Sequence, residues 1–331
     1  MKARIERYAL NLWYQTVRPP WPWRWLSALH GWLLSSRWAR PEARPPVPVI
    51  VVGNVTVGGS GKTPMVIALA RALAARHHQV AVICRGVGGR RLQRARRVKP
   101  GDEARMVGDE AVLLAEQTGL PVWACRERGQ ALMTAVADGA TVVISDDGLQ
   151  HRALPRSFEI CLVDGARGFG NGFLLPAGPL RQSLDRLETV DLLVTKGDTP
   201  CRPDSRVWPL RPAGFVRLDG QAQRPPDGFQ GQQAVALCAI ANPQRFADEL
   251  GALGVSVELR AFPDHHRFAA RDLANLPGPL LVTAKDAVKL RGLGRESDAW
   301  VVEQSLGLPD DLLQPVLDHL DAWRDGEKRR R

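Results

Sequence analysis

VPVIVVGNVTVGGSGKTPMVIALARALAARHH, residues 47–78, is the stretch on which the fold turns. Its first eight residues are a short, continuous apolar run with β-branched side chains, the pattern of a strand buried on both faces of a parallel sheet. Its last fourteen carry apolar residues at 66, 69, 70, 73 and 74, a helical spacing. Strand, Gly-rich loop and helix together form the setting of a phosphate-binding loop. A strict loop reads G-x-x-x-x-G-K-[ST], whereas Thr56 stands first here and Pro64 follows the last position. Gly58, Gly59 and Gly61 still let backbone N–H groups converge on phosphate, and the helix N-terminus adds partial positive charge. Pro64 falls in the first helical turn, where its missing N–H has no partner to lose. The candidate nucleotide-binding segment is therefore Thr56, Val57, Gly58, Gly59, Ser60, Gly61, Lys62 and Thr63. Lys62 is expected to reach the β/γ-phosphates, and the Thr63 hydroxyl to sit on Mg²⁺.

Working outward, strands are expected at 80–84, 140–148, 158–164 and 190–198, with helices at 108–118 and 127–137. Such alternation predicts an α/β fold, a P-loop NTPase-like parallel sheet with helices on both faces. Its chemistry belongs at the C-terminal ends of the strands. Asp146 and Asp147 end an apolar strand, where P-loop enzymes keep a Mg²⁺-associated carboxylate. Two adjacent carboxylates repel unless a cation joins them. Asp109 and Glu110 open a helix and, taken alone, merely suit its dipole. "TKGD" (195–198) is similar to the N-K-x-D guanine reader of GTPases, but Ser145 occupies the Asp position of the accompanying D-x-x-G motif. A GTP-binding P-loop regulatory protein is the runner-up reading.

The 331 residues are 44% apolar, so a sizeable buried core is available and wholesale disorder is excluded. A net charge of +10 points to an anionic partner: nucleic acid, a membrane surface or a phosphorylated substrate. The five cysteines form no C-x-x-C pair, which argues for reduced, mostly buried thiols and against a zinc site or disulfide framework. His77-His78 and His265-His266 lack ligand-spaced companions.

The first 45 residues differ from the rest. Six of the ten tryptophans (13, 21, 23, 25, 32 and 38) lie there, with eight Lys/Arg and only two Glu. "WLSALHGWLLSS" (25–36) makes about 18 Å of helix, too short for the roughly 30 Å hydrocarbon core. Trp25, Leu26, Leu29, Trp32 and Leu33 form one apolar stripe, with Arg24, Ser27, His30 and Arg37 largely off it. Tryptophan and arginine on an amphipathic helix suit the lipid headgroup boundary. Residues 1–45 are thus expected to be a membrane-surface segment, followed by a Pro-rich connector and a P-loop core over 46–216. The polar, Gly/Pro-rich stretch 217–233 reads as a hinge, and 234–331 as a smaller C-terminal α/β lobe. Tryptophans clustered at one terminus do not interleave a basic groove, so no nucleic-acid partner is expected.

"GNVTVGGSGKTP" (53–64), "RGVGGR" (85–90), "VGDE" (107–110), "DDGLQH" (146–151), "LLPAGPLR" (174–181), "FPDHHRF" (262–268) and "TAKDAVKL" (283–290) occur in this order. The set resembles the tetraacyldisaccharide 4′-kinase family, whose loop also begins with Thr. The resemblance implies ATP-dependent phosphorylation of a lipid A disaccharide precursor at its 4′-hydroxyl, on the cytoplasmic face of an inner membrane. It implies that Asp109 is the base, assisted by His265, with Glu110, Asp146 and Asp147 near Mg²⁺ and the γ-phosphate. Arg181 would then stabilise the transferring phosphoryl group, and Gln150 and His151 would line the same cleft. Val87 stands where the family commonly carries Tyr, and that position is not carried over. The basic run 85–99 suits either a solvated loop or the anionic end of the substrate.

Overall fold

The computed structural model describes residues 2–35, 43–90 and 92–329, with side chains from residue 8 to 33 in the first segment. Trp38 and Arg37 lie outside the described residues. Two helices, α1 (Lys2–Tyr14) and α2 (Trp21–Ser35), precede the core.

The first sheet has eight strands: β1 (Val49–Gly53), β2 (Val80–Cys84), β3 (Arg96–Val98), β4 (Val122–Ala124), β5 (Val142–Asp146), β6 (Phe158–Asp164), β7 (Leu192–Lys196) and β8 (Arg206–Trp208). Their spatial order is β3-β4-β2-β5-β1-β6-β7-β8, with β1 central and only β3 antiparallel to its neighbour. Alternate residues feed opposite cores. Ile50, Val52, Val80, Val82, Val142 and Ile144 join one apolar cluster, while Val49, Val51, Ala81, Ile83 and Val143 join another. Both faces are covered, which is why these strands read as continuous apolar runs. The helices are α3 (Lys62–Ala74), α4 (Ala104–Val107), α5 (Asp109–Thr118) and α6 (Arg128–Ala137). The short strands β3, β4 and β8, at or next to the sheet edges, carry too few residues to announce themselves by period.

The second sheet contains β9 (Pro212–Arg217), β10 (Gln223–Arg224), β11 (Gln233–Cys238), β12 (Ser256–Ala261), β13 (Leu280–Thr283) and β14 (Ala299–Gln304). Their order is β10-β9-β14-β13-β11-β12. Helices α7 (Pro243–Ala252), α8 (Ala270–Leu273) and α9 (Ala284–Leu290) connect them. The last helix, α10, spans Asp310–Lys328.

The expected division of the chain differs from this arrangement at two points. β9 pairs antiparallel with β14 and β10 with β9, so the second lobe begins near residue 212, inside the expected core region. The stretch 217–233 is not a free hinge. Phe229 inserts into the second core, edge-on to Phe215 at 4.8 Å and to Trp300 at 5.3 Å. Its Gly and Pro residues serve tight turns around one buried aromatic anchor. Conversely, α10 returns to the first lobe, where Leu312, Leu313, Val316 and Leu320 join the first core. The Trp208 Nε1 donates to Gly307 O at 3.0 Å beside this return. An amphipathic stripe reveals that a helix is covered, and not by which lobe.

Candidate active site

The loop after β1 departs from the strict pattern for a backbone reason. Thr56 forms an isolated antiparallel bridge with Leu180, and Val57 N donates to Pro179 O at 2.8 Å. The loop therefore starts extended, and extended backbone needs no glycine. Gly61 does need one: its φ is 90°, and a Cβ there would stand 2.8 Å from Lys196 Cδ. Lys62 and Thr63 then begin α3 at the C-terminal edge of the sheet.

Beside this loop stands the strand-end pair. Thr63 Oγ1 donates to Asp146 Oδ2 at 3.3 Å, and Lys62 Nζ lies 3.6 Å from Asp147 Oδ1. Arg181 Nη1 reaches both Asp147 oxygens at 3.3 Å and Gln150 Oε1 at 3.3 Å. Gln150 in turn donates to Asn54 O at 2.7 Å and to Gln182 Oε1 at 2.9 Å. The buried Arg128 guanidinium holds the turn from behind, donating to Asp146 O at 2.6 Å and Asp147 O at 3.1 Å. Asp147 adopts φ 50°, a left-handed conformation that costs a non-glycine residue about 1 kcal/mol or more. The adjacent carboxyls diverge in acidity. Burial, then the neighbouring Glu110 and Asp147 charges, push Asp146 up to about 7. Burial also raises Asp147, but Lys62, Arg181 and Arg128 outweigh it and hold that carboxyl below its usual range.

A second group of residues assembles between the lobes. The backbones of "RGVGGR" and "VGDE" interlock through two left-handed glycines. A Cβ on Gly86 would meet Val107 O at 2.6 Å, and one on Gly108 would meet Val87 O at 2.5 Å. This contact presents Asp109 at the start of α5, where the helix dipole favours a carboxylate. His265, from the other lobe, brings Nδ1 to 3.0 Å from both Asp109 oxygens across 156 residues. It too is left-handed, with φ 61°. Burial raises Asp109, but the His265 bond and the Lys285 and Lys289 charges hold it below the ordinary carboxylate value. The same bond raises His265, against burial and the Lys285 charge.

Glu110 pairs with Lys285 at 3.1 Å, and Lys289 Nζ lies 4.0 Å from Asp109 Oδ2. Lys285 is lowered by burial, but the carboxylates of Glu110, Asp109 and Asp264 more than reverse this and raise it. A cleft of about 400 Å³ beside this seam is lined by Arg90, Arg105, Met106 and Arg267. Arg267 Nη2 donates to Gly88 O at 3.3 Å, tying the cleft to the glycine loop.

The structure thus brings Lys62, Thr63, Asp146, Asp147, Arg181 and Gln150 into one cluster, and Asp109 and His265 into another, with Glu110 between them. His151 joins neither cluster by a hydrogen bond of its ring: Nδ1 is buried without a partner. The loop residues Gly58, Gly59 and Ser60 complete the turn, with the Ser60 hydroxyl buried and unpartnered. Among the described residues no three His, Cys, Asp or Glu side chains form a preassembled metal cage. The carboxylates and Thr63 instead fit a Mg²⁺ that keeps waters and phosphate oxygens as ligands. Asp146 Oδ1, buried with no hydrogen-bond partner, is the atom such an ion would engage.

Sequence reasoning missed Arg128, which sits in "CRERGQA" without any pattern to mark it. It also assigned no role to Lys285 and Lys289, although their i, i+4 spacing puts them on one helix face. The guanine-reader likeness of "TKGD" loses its support. Asp198 is exposed and paired with Arg211 at 2.7 Å, while Lys196 is buried against Gly61 and 3.5 Å from Asp164.

The N-terminal helices rest on the loop that leads to Arg181. Ser27 Oγ donates to Leu174 O at 2.8 Å, Trp13 Nε1 to Pro176 O at 2.9 Å, and Asn171 Nδ2 to Leu12 O at 2.9 Å. The side of α2 that carries Ser27 therefore faces the protein. Trp21, Trp25 and Trp32 are 77%, 62% and 72% exposed, and Leu26, Leu29 and Leu33 are exposed beside them. No described helix is long and apolar enough to cross a membrane.

Comparison with known proteins shows the family to which the chain belongs. The family model for tetraacyldisaccharide-1-P 4′-kinase (LpxK) matches residues 20–321. The tetraacyldisaccharide 4′-kinase of Alcanivorax borkumensis is 43% identical over 95% of this chain and 97% of its own. That of Hahella chejuensis is 39% identical over 99% of both. The crystal structure of LpxK from Aquifex aeolicus in complex with ATP superposes with a TM-score of 0.71 at 25% identity, covering 89% of this chain and 97% of that one. A phosphate-binding loop, a strand-end aspartate pair and an inter-lobe Asp–His contact are thus found in a chain that belongs to the tetraacyldisaccharide 4′-kinase family.

Proposed function

We propose that the protein transfers the γ-phosphate of ATP to the 4′-hydroxyl of a tetraacyldisaccharide 1-phosphate at a membrane surface, yielding the 1,4′-bisphosphate. The Asp109–His265 contact carries this reading, because a sugar hydroxyl is a poor nucleophile that needs a base beside the phosphoryl donor. Asp109, held ionised, takes the hydroxyl proton. His265 orients that carboxylate and shares the charge as the proton arrives. The loop from Thr56 to Thr63 cradles the phosphates with backbone N–H groups, Lys62 draws charge from the β/γ-oxygens, and Arg181 contacts the transferring group. Thr63, Asp146 and Asp147, with Glu110 alongside, are the residues that would hold Mg²⁺. When bound, the ion would offset the charge that develops on the phosphate oxygens. Gln150 keeps Arg181 in register, and His151 borders the same strand-end turn.

The anionic end of the acceptor suits the arginine-lined cleft next to Asp109. The outward tryptophan and leucine face of α2 suits the headgroup layer of an anionic inner membrane, on its cytoplasmic face. Both assignments agree with the +10 charge. The decisive experiment is transfer of labelled γ-phosphate to tetraacyldisaccharide 1-phosphate in detergent micelles. Absence of transfer by folded protein would overturn the substrate; full activity of Asp109→Ala would overturn the base.

A further inference from the structure

Lys285 is 17% exposed and satisfies three acceptors at once. Its Nζ lies 3.1 Å from Glu110 Oε1, 3.1 Å from Asp264 Oδ1 and 3.4 Å from His265 Nε2. An ammonium has three donors and no lone pair, so every donor is matched. It follows that Nε2 of His265 faces Lys285 only as an acceptor. A neutral imidazole with one acceptor nitrogen carries its proton on the other. That nitrogen is Nδ1, which meets the Asp109 carboxylate at 3.0 Å. The opposite tautomer would set an N–H against an ammonium and a lone pair against a carboxylate, two repulsive contacts in one ring.

We propose that Lys285 is a positioning residue for the proton-accepting pair, fixing the His265 ring in the Nδ1–H tautomer with that N–H aimed at Asp109. The inference rests on the kinase reading above and deepens it. Lys285 also acts on the backbone beneath the ring. Asp264 Oδ1 accepts both from Lys285 and from His265 N at 3.0 Å, which holds the left-handed turn that delivers the ring. The lysine itself is rigidly set. Thr283 caps α9 by accepting from Asp286 N at 3.2 Å, and buried Asp286 accepts from Ala239 N at 3.2 Å and from the Thr283 hydroxyl at 2.7 Å. The second residue of α9 therefore projects to the seam from a fixed start. A guanidinium is no direct substitute, because its donors are confined to one plane whereas the three of an ammonium diverge from a single atom.

The rival account is that Lys285 merely pins the lobes together through Glu110. A double-mutant cycle on the full-length protein separates the two, with thermal unfolding recorded for each variant. Lys285→Met is expected to lower kcat about tenfold to hundredfold, the usual cost of losing a partner that orients a site residue. KM for ATP and for the acceptor should change by less than about twofold. In the His265→Ala background the same substitution should cost less than about twofold, because the ring through which it acts is gone. Equal losses in both backgrounds, or a loss confined to KM, would overturn the proposal. The second readout needs no turnover: ¹⁵N spectra of the His265 ring should report protonated Nδ1 in the parent and a tautomer mixture in Lys285→Met. An unchanged ring spectrum also overturns it. Failure of the parent protein to phosphorylate the acceptor would strike the kinase reading instead, leaving the ring spectra to decide the role of Lys285.

Discussion

The two halves of the site are built on different scales. The phosphate half is local: Thr56 to Thr63 and Asp146-Asp147 follow β1 and β5, which are hydrogen-bonded neighbours in one sheet. The acceptor half is not. Asp109 opens α5 in the first lobe, whereas His265, Lys285 and Lys289 arrive from the second, and the α5–α9 seam holds them in register. Strand pairing therefore supports the first half wherever the second lobe sits. Any loosening of the seam separates Asp109 from its partner before it disturbs the loop.

The largest expected effect tests that separation directly. Asp109→Asn should lower kcat by about 10²–10⁴-fold, the range for a general base, while nucleotide affinity stays near the parent value. Lys62→Met should lower kcat by about 10²–10³-fold, as for one lost transition-state donor, and should weaken nucleotide binding as well. Steady-state kinetics beside nucleotide titration distinguish them. If Asp109→Asn lost nucleotide as severely as Lys62→Met, the two halves would not be independent.

Arg291 and Glu116 pair across the seam without touching either cluster. Arg291→Gln should reduce kcat a few-fold at most, since a pair whose arginine is half-exposed is worth about 1 kcal/mol. Nucleotide affinity should be unchanged. A loss confined to nucleotide binding would contradict the division.

Acidity sharpens the contrast. With its value pushed up to about 7, Asp146 retains a proton in the folded, metal-free protein at pH values where an unfolded carboxyl is ionised. The folded state then binds more protons, so this group makes stability fall as pH rises from about 4 toward about 7. The acceptor half behaves otherwise. Asp109, held low, contributes stability above its unfolded value, lost as pH falls through its folded one. His265, held high, contributes stability below about 6.5, lost as pH rises through its folded value. Binding of Mg²⁺ with nucleotide should accordingly release a proton below about pH 7, visible as buffer-dependent heat in calorimetry. Equal heats in buffers of different ionisation enthalpy would remove this account of Asp146.

The smallest effect on chemistry is expected at the N-terminus. Replacing both Trp25 and Trp32 by Ser should reduce co-sedimentation with anionic vesicles and change kcat on detergent-dispersed acceptor by less than about twofold. Ser27, which holds α2 to Leu174, is left intact in that variant. Unchanged sedimentation would remove the membrane role of this face.

Much of this was readable in the chain. β2 and β6 occur at the expected residues, and the bounds of β1 and β5 lie within one or two residues of those expected. The P-loop departures had local explanations, Thr56 as extended backbone and Pro64 as a first-turn residue. Illegible features were those whose cause lies elsewhere in the chain. Arg128 matters only because the Asp146-Asp147 turn packs on it, and Lys285 only because three acceptors from two lobes surround it.

By itself the sequence determined the elements, the phosphate loop and the strand-end aspartates, because apolar period and backbone preference act over a few residues. Only the tertiary structure decided that 212–233 joins the second sheet while α10 returns to the first. It alone turned the tryptophan stripe outward and set His265 against Asp109. Those outcomes depend on which surfaces bury one another, and a residue pattern shows that a face is apolar without naming the face that covers it.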